Sequence, residues 1–261
     1  MIKYTGDIQK GENVQMIQDL HSHTYYSFCG GDKPEEIVEA AIAGGIEVFG
    51  ITDHNYGIGN GRKNVFAASK GSVADDYEGT LLRYFDHINL IKEKYANDIC
   101  ILRGIEIATL NGERYALPDN TDISFFDYCL IEHIDLMENS ITNGKLFEFA
   151  KRCDCPVGIA HTDMFSFIAK LGEEPANYFK RMAQANIFWE MNVSYDSIHN
   201  YRQHAYMLEF FENQEQQKII RESGVRLSVG FDGHRVRDYL PERVAEYCRK
   251  ITEMGIKLAF E

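Results

Sequence analysis

The sequence predicts an α/β fold whose parallel strands are better closed, or nearly closed, into a barrel than left as an open sheet. Apolar strand-like runs alternate with helical stretches about seven times along 261 residues. Such alternation places crossover helices between parallel strands. The runs are apolar throughout, as strands buried on both faces are. Ionisable residues gather at their C-terminal ends, where the loops of a parallel barrel leave a depression. The length suits one α/β barrel, so residues 1–261 are expected to form a single domain, with 44% hydrophobic residues to fill its core.

The elements follow in order. MIQDLHSH (16–23) ends in His21 and His23. Side chains at i and i+2 of a strand share a face, which suits two ligands of one metal ion; the alternative is a strand end facing solvent. KPEEIVEAAIAGG opens with proline at a first turn and ends at glycine, a helix signature. EVFGITDH (47–54) ends in Asp53 and His54. Residues 55–80 read as an irregular insertion, a mobile loop over the active-site rim; Gly57, Gly59 and Gly61 suggest a phosphate loop but lack the Walker lysine spacing. LLRYFDHINLIKEKYA has apolar residues at 81, 82, 85, 88, 91 and 95, close to helical period. ICILRGIEI (99–107) carries Glu106, DYCLIEHI (127–134) His133, and PVGIAHTD (156–163) His161. NYFKRMAQA reads as a helix, IFWEMNVS (187–194) as a strand, and LEFFENQEQQKIIRESG as one helix stopping at Gly224. VRLSVGFDGH (225–234) delivers Asp232 and His234.

Composition narrows the function. Lys and Arg total 27 against 40 Asp and Glu, a formal charge of −13, which disfavours nucleic acid and anionic membranes as partners. No stretch has the roughly 18 apolar residues of a membrane helix, and the N-terminal MIKYTGDIQKGENVQ lacks a secretory h-region. The six cysteines show no paired framework, so a cytoplasmic location is expected. Cys153 and Cys155 lack a second pair at zinc-site spacing and read as packing.

Singly, the strand-end residues have ordinary explanations: His54 as a cap, Glu106 paired with Arg103, His133 and His161 bonded to backbone. Together they do not. Six of the nine histidines, with carboxylates among them, would converge on one barrel mouth. Without cations that would cost desolvation and charge repulsion. Nitrogen and oxygen donors suit zinc, manganese or iron, and so many donors require more than one ion.

The motifs DLHSHT, GITDHN, RGIEI, IEHID, IAHTD and FDGH, in this order, resemble the PHP (polymerase and histidinol phosphatase) phosphoesterases from about residue 17 to the end. Chain length, the run WEMNVS and the closing FDGHRVRDYL look most like the histidinol-phosphatase branch. The resemblance implies a distorted TIM-like (β/α)7 barrel with two or three divalent metal ions at its mouth. Carried over by position, His21, His23, Glu106 and Asp232 would hold the first ion. Glu106 would bridge to a second, shared with His133 and His161, and His54 and His234 would hold a third. Asp53 would orient a histidine. One departure stands out: where the family often has Asp or His, this chain has Phe28, Cys29, Gly30 and Gly31. Of these only Cys29 could ligate, as a thiolate favouring zinc, so the third site would be weak, altered or absent.

The expected reaction is hydrolysis of a small phosphomonoester by water that the ions activate. Arg235 and Arg202 are candidate substrate-binding cations, and Asp163 or a bound water would protonate the leaving group. A phosphodiester or carbon–nitrogen hydrolase, or a degenerate non-catalytic metal-binding domain, are the alternatives. Tyr25, Tyr26, Phe165, Phe167, Tyr195 and Tyr201 would either shape a substrate pocket or simply pack.

Overall fold

The computed structural model describes residues 16–60, 77–112 and 117–260. Seven parallel strands run in sequential order: β1 (Gln18–Asp19), β2 (Val48–Ile51), β3 (Cys100–Ala108), β4 (Tyr128–Glu132), β5 (Val157–Ile159), β6 (Ile187–Asn192) and β7 (Leu227–Gly230). The ring closes between first and last strands through Leu20 N to Val229 O (2.9 Å), Asp232 N to His21 O (2.8 Å) and His23 N to Gly233 O (2.8 Å). The fold is therefore a TIM-like barrel of seven βα units. Nine helices lie among the described residues: α1 (Pro34–Ala43), α2 (Asn55–Asn60), α3 (Tyr77–Lys94), α4 (Leu146–Cys153), α5 (Met164–Lys170), α6 (Pro175–Gln184), α7 (Ala205–Glu212), α8 (Gln214–Ser223) and α9 (Pro241–Glu253).

Local chemistry sets these boundaries. Pro34 and Pro241 open α1 and α9 at positions whose N–H has no helical partner. Lys33 N donates to Glu36 Oε2 (2.9 Å), closing a capping contact on α1. The predicted helix at 208–224 is two helices. Asn213 takes an extended conformation, and its side chain accepts from Glu215 N and Gln216 N, ending α7 and capping α8. The insertion at 55–80 is also corrected in part. Its first turn and a half is α2, α3 begins at Tyr77, and residues 61–76, with Gly61, lie outside the described residues.

Strand alternation divides the core in two. Phe49, Ile51, Ile105, Ile131, Trp189 and Val229 face outward, packed under the helices in one large cluster. Val48, Leu102, Tyr128, Leu130 and Phe188 fill the interior toward the N-terminal end of the barrel. Gly50 leaves room for the plug, since a methyl there would collide with the Tyr128 hydroxyl, which donates to Leu20 O (2.7 Å). The chain after α9 covers this end: Leu227 N donates to Lys257 O (3.0 Å), and Phe260 meets Tyr128 and Phe188 edge-on at 5.5 and 5.9 Å. On β3, β4 and β6 the inward series continues past this plug to Glu106, Glu132, Glu190 and Asn192. Period-2 alternation thus carries carboxylates inward at the opposite, C-terminal end.

Candidate metal centre

Glu106, fully buried, stands at the centre of the mouth. Its Oε1 lies 3.3 Å from His21 Nε2 and 3.1 Å from His161 Nε2; its Oε2 lies 2.8 Å from His54 Nδ1 and 3.5 Å from His23 Nε2. Asp232 is a second hub. Its Oδ1 is 3.0 Å from His23 Nε2, 3.5 Å from His21 Nε2 and 3.7 Å from His234 Nε2, and its Oδ2 is 3.1 Å from His199 Nε2. Asp232 itself adopts φ 56°, a left-handed conformation that turns the carboxylate at the strand end.

The outer ring nitrogens are engaged elsewhere. His21 Nδ1 donates to Glu190 Oε1 (2.7 Å). Ser27 Oγ donates to Asp53 Oδ1 (2.6 Å), so it accepts from His23 Nδ1 (3.2 Å). Asp196 takes the Nδ1 of His199 (2.7 Å) and of His234 (3.3 Å). Each of these rings therefore carries a hydrogen on Nδ1 and turns its Nε2 toward Glu106 or Asp232, the orientation metal-ligating histidines need. Asp53 anchors the loop beneath them, accepting from Thr24 N (2.8 Å), Thr24 Oγ1 (2.7 Å) and Ser27 N (3.0 Å). Glu190 also accepts from His161 N (2.7 Å), tying β5 to β6, and Gly230 leaves space for Glu190 and His21, since a Cβ there would overlap both.

The electrostatics are those of opposite charges forced together. Burial opposes charge on His21, but the Asp232, Glu190 and Glu106 carboxylates outweigh it and raise its pKa well above the imidazole range. Burial pushes the Glu106 carboxyl up, yet His54 and His21 hold it well below the usual carboxylate range. Burial and the neighbouring His54 push His23 down to about 3. Burial works against the Cys29 thiolate, but hydrogen bonds from His234 and His54 bring its pKa below the ordinary thiol value.

Divalent cations fit these residues. Among the described residues, His54 Nδ1, Glu106 Oε2, Glu132 Oε1 and His133 Nδ1 are all buried without a hydrogen-bond partner; His54 and Glu106 approach closely but off the line a hydrogen bond needs. Among the described residues, lysine and arginine ion pairs all lie away from Glu106, Glu132, Glu190, Asp196 and Asp232. The donor atoms of His21, His23 and Glu106, of His21, His161 and Asp232, of His54, Glu106 and Glu132, and of His23, Cys29 and His234 each lie within 4.8 Å of one another. The donors are mixed nitrogen and oxygen with one sulfur, as borderline transition ions prefer.

Other expected residues lie differently. His133, at φ 66°, has its Nδ1 3.1 Å from Glu132 Oε2, and its ring is 6.3 Å from that of His161; Glu132, not His133, approaches His54 (3.4 Å). Asp163 is a helix cap: its carboxylate accepts from Ser166 N (2.9 Å) and Ser166 Oγ (2.6 Å) at the start of α5. The Arg235 guanidinium donates to the carbonyls of Cys29 and His234, both at 2.7 Å, and so fastens the Cys29 loop to the end of β7. Arg202 is exposed on the segment after β6. Phe165 and Phe167 pack against Phe179 and Tyr178, Tyr26 donates to or accepts from His87 (2.8 Å), and only Tyr195 and Tyr201 remain exposed, ring against ring at 5.7 Å. Sequence reading missed Glu132, Glu190, Asp196 and His199. For Glu132 and Glu190 the signal was present: they share inward parity with the core residues of their strands.

A sequence model of the PHP domain matches residues 19–258. The chain belongs to the PHP domain family. Comparison with curated proteins gives no match. Among solved structures, the histidinol phosphate phosphatase of Lactococcus lactis subsp. lactis Il1403, complexed with zinc, L-histidinol and phosphate, is 15% identical with a TM-score of 0.52, covering 92% of this chain and 95% of that one. YwqE from Bacillus subtilis and CpsB from Streptococcus pneumoniae, described as metal-dependent tyrosine phosphatases, are matched at 18% identity and a TM-score of 0.49, over 93% of this chain and 90% of that one. The Lactococcus likeness is one of fold: the same kind of barrel, traversed from end to end.

Proposed function

We propose that this PHP barrel is a metal-dependent phosphatase that hydrolyses a small phosphomonoester, in the manner of a histidinol phosphatase. The observation that carries the reading is the pair of hubs, Glu106 and Asp232, each faced by several imidazoles, with the Nδ1 atoms of His21, His23, His199 and His234 held from outside. His21, His23, Glu106 and Asp232 would hold one ion. Glu106 would share a second with His161, joined by His133 if its ring turns from Glu132. His54, His234 and Cys29 would hold a third. Zinc, manganese and iron all suit such donors, and the Cys29 sulfur favours zinc at its site.

When bound, these ions supply Lewis-acid charge to a phosphoryl group and lower the pKa of water. The chain's own residues do the rest. Glu190, Ser27 and Asp196 fix the imidazole tautomers, and Asp53 holds the loop that carries Ser27. Phe28 and Tyr56 stack against His54 at 5.7 and 4.8 Å and shield that side of the centre from water. Proton delivery to the leaving alkoxide falls to a bound water, because Asp163 is engaged as a cap.

The six cysteines are free thiols, which supports the cytoplasmic placement, and among the described residues no helix is long and apolar enough to cross a membrane. The test is phosphate release from a panel of monoesters and diesters, histidinol phosphate first, with zinc, manganese and iron supplied separately. Turnover confined to monoesters and abolished by chelation is the expected result. Diester cleavage, or no turnover with any metal, would overturn the reading.

A further inference from the structure

His199 lies on the segment after β6, outside the strand-end histidines, yet it is built into the centre. Asp196, 1% exposed, accepts from His199 N (2.9 Å) and His199 Nδ1 (2.7 Å), and its other oxygen accepts from His234 Nδ1 (3.3 Å). One buried carboxylate thus fixes two imidazoles in the same tautomer. Their rings are 5.3 Å apart, and both Nε2 atoms face Asp232: His199 toward Oδ2 at 3.1 Å, His234 toward Oδ1 at 3.7 Å. The donor atoms of Asp196, His199 and His234 lie within 4.8 Å of one another. His199 therefore repeats the arrangement of His21 on Glu190: an outer carboxylate on Nδ1, an inner carboxylate opposite Nε2. A positive charge must sit between His199 Nε2 and Asp232, either a proton or a metal ion.

We propose that His199 is an additional metal ligand through Nε2, sharing an ion with Asp232, and that Asp196 is the positioning residue that aims both His199 and His234. The proposal rests on the reading that the mouth holds divalent ions. It gives Asp232 a ligand role on both oxygens, Oδ1 toward His23 and Oδ2 toward His199. It also places one ion on the solvent side of the cluster, since the His199 side chain is 21% exposed whereas His21 is fully buried.

The test uses the full chain. Crystals grown with zinc should show an anomalous zinc peak about 2.0–2.1 Å from His199 Nε2. In solution, His199→Gln should bind its weakest zinc at least about tenfold less tightly, with the other sites retained, and Asp196→Asn should weaken the same ion by about 10- to 100-fold, as loss of an outer-shell partner does. Zinc peaks elsewhere in the mouth but none on His199, together with unchanged affinity in His199→Gln, would reduce His199 to an ion pair and overturn this proposal alone. No zinc anywhere in the wild-type protein would overturn both this proposal and the proposed function. The crystal result decides even if a variant fails to fold.

Discussion

The two ends of the barrel are built on opposite principles. At the N-terminal end, Tyr128, Phe188, Leu102 and Phe260 interlock and the Tyr128 hydroxyl has its acceptor; among the described residues, the neutral Gln18 amide, on the inward face of β1 with Leu20, is left buried there without a partner. At the C-terminal end, Glu106 and Asp232 are buried among imidazoles, and His54 Nδ1, Glu106 Oε2, Glu132 Oε1 and His133 Nδ1 lack hydrogen-bond partners among the described residues. Buried polar atoms in that state cost about 1–3 kcal/mol each, more when charged. A cation bound among them would relieve that cost. One end is therefore closed mainly by neutral side chains, while the other gathers charged groups that a bound cation would satisfy.

The largest effect should come from the N-terminal end. Phe188→Ala removes an interior ring and should lower unfolding free energy by about 3–5 kcal/mol. Denaturant unfolding should show this loss equally with and without zinc, and zinc stoichiometry should be unchanged. A loss that vanished when zinc was added would mean that the two ends are not independent. Glu106→Gln probes the other end. It keeps the shape of the side chain but removes the charge that His21, His54 and His161 face. Phosphate release should fall at least about a hundredfold, or ~2.7 kcal/mol. Added zinc should raise the melting temperature of the wild-type protein and of Phe188→Ala, but do so far less in Glu106→Gln. Full activity in Glu106→Gln would remove the two-hub mechanism.

Much of this contrast was legible in the sequence, and the remainder was hidden for physical reasons. Strand-end histidines announced the mouth because parallel barrels place C-terminal strand ends together. Glu132 and Glu190 escaped notice inside apolar strings, although inward parity assigns them to the same face as Tyr128 and Phe188. Asp196 and His199 follow a strand rather than end one, so only the folded loop brings them to Asp232. Arginines near a phosphatase site invite a substrate role, but Arg235 is held by two backbone carbonyls that no sequence pattern reveals. The break at Asn213 was likewise masked, because helical periodicity continues across a cap.

A smaller effect belongs to the outer wall of the N-terminal end. Asp127, at the foot of β4, accepts from Arg103 N (2.8 Å), Nε (3.0 Å) and Nη2 (2.7 Å) and from Lys92 Nζ (3.2 Å). Burial pushes its carboxyl up, but the Arg103 hydrogen bonds and the Lys92 charge outweigh burial and hold it below the usual value. Asp127→Asn should cost about 2 kcal/mol near neutral pH. The folded pKa is the lower one, so this stabilisation is fully present above pH about 4 and is lost as pH falls through the folded value. Unfolding curves of wild type and variant should therefore converge in acid. A gap that widened in acid would mean that folding favours the protonated form of Asp127 over its carboxylate.

The smallest effect separates a cap from an acid at the edge of the mouth. Asparagine caps helices about as well as aspartate but has no carboxyl proton to give. Asp163→Asn should therefore keep both stability and turnover, since its side-chain oxygen can still accept from Ser166 N. Asp163→Ala should lose about 1 kcal/mol of stability with turnover per folded molecule intact. A large drop in turnover for Asp163→Asn at unchanged melting temperature would restore Asp163 as the proton donor, and would show that the α5 cap opens when substrate binds.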